Sequence, residues 1–99
     1  VARYFLSPEA KEDLRDIRAY LVSQGGSRLA KHVLQEIRAA FRLLASHPDA
    51  GHRRQDLTSL PVKFWPVFSY LVVYDPVARP IAIVRVLHGR RDVETILGS

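Results

Sequence analysis

The chain contains no cysteine. Disulfides, thiolate metal sites and cysteine nucleophiles are therefore excluded. No apolar run reaches transmembrane length, and no basic-then-apolar segment opens the chain, so neither a membrane span nor a signal sequence is expected. His32, His47, His52 and His88 have no metal-ligand spacing. His-Glu-x-x-His and acidic calcium loops are also missing, and no metal or other cofactor is expected. Without a Gly-x-Gly-x-x-Gly run, a phosphate-binding loop or a nucleophile elbow, nucleotide hydrolysis and serine-hydrolase chemistry have no support. Repeats, low-complexity tracts and linkers are absent. The first residue is Val1 rather than methionine, which implies an initiator removed or a chain trimmed.

What is present bounds the rest. Ninety-nine residues predict one domain spanning residues 1–99, with no room for a second core. So short a chain buries a modest share of its surface, and its stability is limited or supplemented by a partner. Hydrophobic residues at 47% and charged residues at 25% argue for a globular protein and against disorder. The net charge of +5 favours an acidic partner: nucleic acid, an anionic membrane or an acidic protein segment. Basicity alone does not rank these three. The expectation is a soluble basic domain of the cytoplasm.

Arg3-Tyr4-Phe5-Leu6 is short, aromatic and β-prone, and reads as a first strand. Ser7-Pro8-Glu9 predicts a helix start, with serine as cap, proline at the first helical position and acids at the positive end of the dipole. Ala10, Leu14, Ile17 and Leu21 form one apolar stripe, and Gly25-Gly26 ends the helix. Ser27 is expected to cap a second helix with the stripe Ala30, Val33, Leu34, Ile37, Phe41 and Leu44, stopped by His47-Pro48. Together they make an antiparallel helical hairpin. Asp49 to Leu60 reads as a loop carrying His52-Arg53-Arg54, a cluster that either contacts phosphates or is a solvated loop. Val62–Pro66, Tyr70–Tyr74 and Ile81–Leu87 are three short strands in an antiparallel meander. The order β-α-α-β-β-β predicts an α+β fold, with the N-terminal hairpin packed on a mainly antiparallel four-stranded sheet.

Alternation in the last strand places Ala82, Val84 and Val86 on one face and Ile81, Ile83, Arg85 and Leu87 on the other. The small, β-branched set suits packing under the helices. Arg85 would then lie on an open face, with Tyr70 and Tyr74 or Lys63 and Trp65 beside it, as a binding surface. Lys63 and Trp65 read either as a base-stacking surface or as core and protein interface. The strand leads into His88-Gly89-Arg90-Arg91-Asp92. His88 is the residue type best suited to proton transfer, and Arg85, Arg90 and Arg91 are close enough in sequence to hold a phosphate. The alternative is local: His88 hydrogen-bonds at the strand end and Arg91 pairs with Asp92 or Glu94. The cations of the second helix, Arg28, Lys31, Arg38 and Arg42, read as a solvated face.

These pieces resemble a family. Leu6-Ser7-Pro8-Glu9-Ala10, with Asp13-Leu14 and Ile17 behind it, is similar to the opening of the ParE/RelE toxins of bacterial type II toxin–antitoxin modules. His47-Pro48 with Gly51 and Arg53, the stretch from Lys63 to Tyr74, and Val84 to Asp92 resemble later parts of the same family in the same order. The resemblance implies a small toxin neutralised by direct binding of a ParD-like antitoxin, whose acidic, flexible segment folds over it. Operator DNA is then reached only through the antitoxin. ParE members inhibit DNA gyrase, whereas RelE members cleave mRNA in the ribosomal A site.

The chain leans toward the ParE-like branch and a non-enzymatic role. Ribonucleolytic members typically carry a tyrosine or histidine near the C-terminus as acid or base, and the last tyrosine here is Tyr74. If the chain were a ribonuclease, His88 would be the acid or base and Arg85 and Arg91 the phosphate partners. On the favoured branch Lys63, Trp65, Phe68, Tyr70, Tyr74, Arg85, His88, Arg90 and Arg91 are expected to bind antitoxin or target. Phe68 stands where the family commonly has glycine, and Trp65 replaces a smaller residue. Both point to a surface specific to the cognate partner.

Overall fold

The computed structural model describes residues 3–89 and 93–97. The elements are β1 (Tyr4–Leu6), α1 (Pro8–Ser46), β2 (Lys63–Val67), β3 (Tyr70–Asp75), β4 (Ile81–His88) and α2 (Val93–Leu97). The sheet runs β1-β4-β3-β2. β1 lies parallel to β4, and the other pairs are antiparallel. This is the expected α+β architecture, with α2 as an addition that sequence did not predict.

α1 is two helical arms. Its 39 residues would span about 58 Å if straight, yet the molecule measures 36 × 34 × 21 Å. The break is at Gly26, whose φ of 85° and ψ of 177° lie in a region essentially open only to glycine. Both stripes reach one core: Leu14, Ile17 and Leu21 from the first arm meet Ala30, Val33, Ile37, Phe41 and Leu44 from the second. The expected hairpin is therefore present, but its cap differs. Gly26 is the non-helical residue between the arms, and the Ser27 hydroxyl makes no hydrogen bond among the described residues.

Ser7 caps the first arm by accepting from the Ala10 N–H at 3.0 Å. Its backbone N–H also donates to the Ile83 carbonyl at 3.0 Å, and its hydroxyl to the Val84 carbonyl at 2.7 Å. One residue thus starts the helix and fastens it to β4. Among the described residues no helix is long and apolar enough to cross a membrane.

The sheet face expected to be open is covered. Tyr70, Val72, Tyr74, Ile81, Ile83 and Val86 pack with α1, and Trp65 and Val67 lean on the same cluster. On the reverse face Val62, Phe64, Val73 and Leu87 join Val93 of α2, with Leu57, Leu71 and Val84 against them. Simple alternation fails on β4 because of a β-bulge. Val73 pairs with Arg85 but Tyr74 with Ile83, which leaves Val84 without a partner. The extra residue reverses the parity of every later side chain. Ile81 and Ile83 therefore face the helices before the bulge, and Val86 does so after it.

Candidate functional site

The bulge brings β4 against α1 through Asp13. This carboxylate is 8% exposed, a burial that an aspartate tolerates only when fully partnered. It accepts from Arg85 Nε at 2.8 Å, from Arg85 Nη2 at 2.9 Å and from the Val86 N–H at 2.9 Å. Arg85 is thus no open-face residue; its guanidinium grips α1 by a two-pronged ion pair. The Asp13 hydrogen bond, the chief cause, holds the Arg85 pKa above its ordinary value.

Next to this pair lies a recess of about 410 Å³ lined by Asp13, Asp16, Ile17, Tyr20, Tyr70, Val86 and His88. α1 supplies the carboxylates, and the sheet supplies the rings. Tyr70 and His88 are cross-strand partners, and their rings meet edge to face with centroids 5.5 Å apart. Burial, chiefly, pushes the Tyr70 phenol above its ordinary pKa, with Tyr20 adding to it. Asp16 and Tyr20 are exposed at the rim. The floor is aromatic, one wall is acidic, and the volume matches small-ligand sites or a partner's side chain.

The remaining sequence-predicted residues separate. Tyr74 is fully buried; its hydroxyl donates to the Pro48 carbonyl at 2.6 Å and accepts from the Gly51 N–H at 2.9 Å. It latches the loop after α1 onto the sheet, and it is not exposed for a partner. Burial raises its pKa, partly offset by the Gly51 hydrogen bond. A Cβ at Gly51 would stand 2.6 Å from that hydroxyl, which is why glycine sits there. Lys63, opposite Tyr74 in the sheet, reaches Asp49 at 3.8 Å. Trp65 is half-buried, with part of its ring packed against the core.

In the loop, Arg54 makes a two-pronged contact with Asp56 in an exposed pair, while Arg53 is solvated. His52 bridges to Phe64 through the backbone only. Phe68 projects from the β2–β3 turn at the same end of the sheet as His88, since the Gly89 N–H donates to the Ser69 carbonyl at 2.8 Å. Arg90 and Arg91 lie outside the described residues.

Of the nine candidates, Tyr70 and His88 share the recess and Arg85 abuts it through Asp13. Sequence reasoning missed Asp13, Asp16 and Tyr20. Asp13 carried a readable signal: it sits three residues after Ala10 and four before Ile17, a carboxylate on an apolar stripe that needed a buried partner. Among the described residues no group of three potential ligands is placed to hold a metal ion.

Comparison with known proteins agrees with this geometry. Residues 4–93 match the family described as the ParE toxin of the type II toxin–antitoxin system, parDE. Toxin ParE1 of Caulobacter vibrioides is 32% identical over 95 residues, covering 96% of this chain and 97% of that relative. A solved structure of the chromosomal ParDE system from P. aeruginosa shares the fold, with a TM-score of 0.72 at 19% identity, over 86% of this chain and 92% of that one. With nearly every element inside the matched region, the chain belongs to the ParE toxin family of type II toxin–antitoxin systems.

Proposed function

We propose that this protein acts by binding: it arrests growth by engaging DNA gyrase and is silenced when a cognate ParD-like antitoxin covers it. The observation that carries this reading is the occupied state of Arg85. A ribonuclease needs a cation free to hold the scissile phosphate. Here two guanidinium nitrogens are committed to Asp13, and the recess beside His88 presents the carboxylates of Asp13 and Asp16. Because Arg85 offsets the Asp13 charge, Asp16 is the carboxylate that disfavours a phosphodiester. With the rings of Tyr20 and Tyr70 it suits a cationic or aromatic side chain of a protein. Tyr70, Tyr20 and His88 then serve as contact residues.

Antitoxin dependence is tested by inducible expression in a bacterial host. Growth arrest that is reversed by co-expressing the antitoxin, with the two proteins co-purifying, is the expected result. Absence of arrest would point instead to a degenerate family member that only stabilises its antitoxin on operator DNA. Cleavage of mRNA on programmed ribosomes, lost in His88→Ala, would replace the binding reading with the RelE-like one.

A further inference from the structure

Phe68 is the first residue of the two-residue turn joining β2 to β3. Its φ of 54° lies in the left-handed region, where a bulky side chain is an outlier and glycine the natural occupant of a hairpin turn. The ring is 62% exposed. The chain thus holds a large apolar ring in water on a backbone that disfavours it, and burial returns little of the cost. Strain of this kind persists at functional positions.

The ring's neighbour is His32 on the second arm of α1, with centroids 6.0 Å apart. From His32 the surface continues to Arg28 and Gln35, its neighbours on the helix at four and three residues. Those two open onto a groove of about 610 Å³ between the arms, also lined by Arg18, Lys31 and Arg38. Among the described residues no carboxylate lines it, and none of these four cations forms an ion pair. Arg28, Lys31 and Arg38 are exposed, as expected of a solvated face, but rather than spreading around the helix they line one groove with Arg18 of the other arm.

We propose that Phe68 and this cationic groove form one docking surface for an acidic, amphipathic segment of a partner protein. An apolar recess of that segment closes over the ring, and its carboxylates meet Arg18, Arg28, Lys31 and Arg38. Four clustered cations alone would suit a phosphate chain equally. The ring decides for a peptide: it stands beside His32 at the flank of the groove, and among the described residues no ring lines the groove for successive bases to stack on. The partner's identity rests on the toxin reading above, which makes it the cognate antitoxin.

The test is calorimetric titration of the full-length protein with purified antitoxin, alongside thermal melts. Phe68→Gly and Phe68→Asn both suit the turn and remove the ring. Each is expected to melt at or above the wild-type temperature while binding roughly tenfold or more weakly, the loss typical of an interface anchor. Arg28→Glu combined with Lys31→Glu is expected to weaken binding by a similar factor, and wild-type affinity is expected to fall with added salt. Val77→Ala, which alters an exposed residue on the β3–β4 turn, leaves affinity unchanged.

Ring-less variants that bind like wild type overturn the surface, as do variants that lose stability and affinity together. Charge-reversed protein that releases a DNA duplex yet keeps its antitoxin affinity overturns it in favour of nucleic acid. Wild-type protein that binds no antitoxin overturns the toxin reading itself, and this surface with it.

Discussion

At the scale of single residues, two contacts tie the sheet to the chain around it. Asp13 accepts three hydrogen bonds from β4. Removing a partner from a buried pair leaves an uncompensated charge, which costs about 3–5 kcal/mol. Arg85 retains 23% side-chain exposure, so Asp13→Ala is expected at or just below the bottom of that range, about 2–3 kcal/mol, read by urea unfolding. Should Arg85 instead serve chiefly to hold a ligand, Asp13→Ala would leave stability nearly unchanged.

Tyr74 is the second contact. Tyr74→Phe loses two hydrogen bonds at once, so about 1–3 kcal/mol at neutral pH is expected. Its pH dependence has a defined sign. The folded phenol has a raised pKa because burial disfavours the phenolate. Its contribution is therefore complete below the unfolded value of about 10 and is lost as pH rises through the folded value. Stability should fall above about pH 10 in the wild type and fall less steeply in Tyr74→Phe; equal slopes would remove Tyr74 from the explanation.

At the scale of elements, the hairpin turn is the most sensitive joint. Gly26 has open space around a notional Cβ, but its φ of 85° is hostile to any other residue. At Gly25 a Cβ meets only the Leu29 side chain, its flexible Cδ2 at 2.5 Å and its Cβ at 3.3 Å. Gly26→Ala is therefore expected to cost about 1–3 kcal/mol and Gly25→Ala less than about 1 kcal/mol. Chemical denaturation of the two variants measures the difference, and a reversed order would contradict the turn geometry.

The same scale shows what was legible in the chain. Ser7-Pro8, the two apolar stripes and the Gly-Gly break follow local rules of capping and periodicity, and each lands where those rules place it. The faces of β4 do not follow from alternation because the bulge at Val84 depends on what lies across the gap. The hydroxyl of Ser7 and the carboxylate of Asp13 satisfy backbone groups around it, and both come from more than 70 residues away in sequence. Val93–Leu97 is only five residues long, too short for a periodic signal. Its role depends on Phe64, Val73 and Leu87, which it covers. Tyr74 looks like a binding residue in a list of aromatics, and only the packing of the loop against the sheet reveals it as buried and structural.

At the scale of the whole molecule, charge is divided rather than merely positive. An acidic-walled recess sits beside His88, and a groove of four cations runs between the arms of α1. Two surfaces of opposite character suit a protein that is recognised by other macromolecules more than one built around a reacting phosphate. His88, at the end of β4, belongs to the first surface, with Tyr70 and Asp16 as company.

The most direct test is a supercoiling assay with DNA gyrase and relaxed plasmid, titrated with the purified protein. Dose-dependent loss of supercoiling, relieved by equimolar antitoxin, is the predicted result. Gyrase unaffected at saturating protein, while mRNA on programmed ribosomes is cut by wild type and spared by His88→Ala, would contradict the claim that this toxin acts by binding.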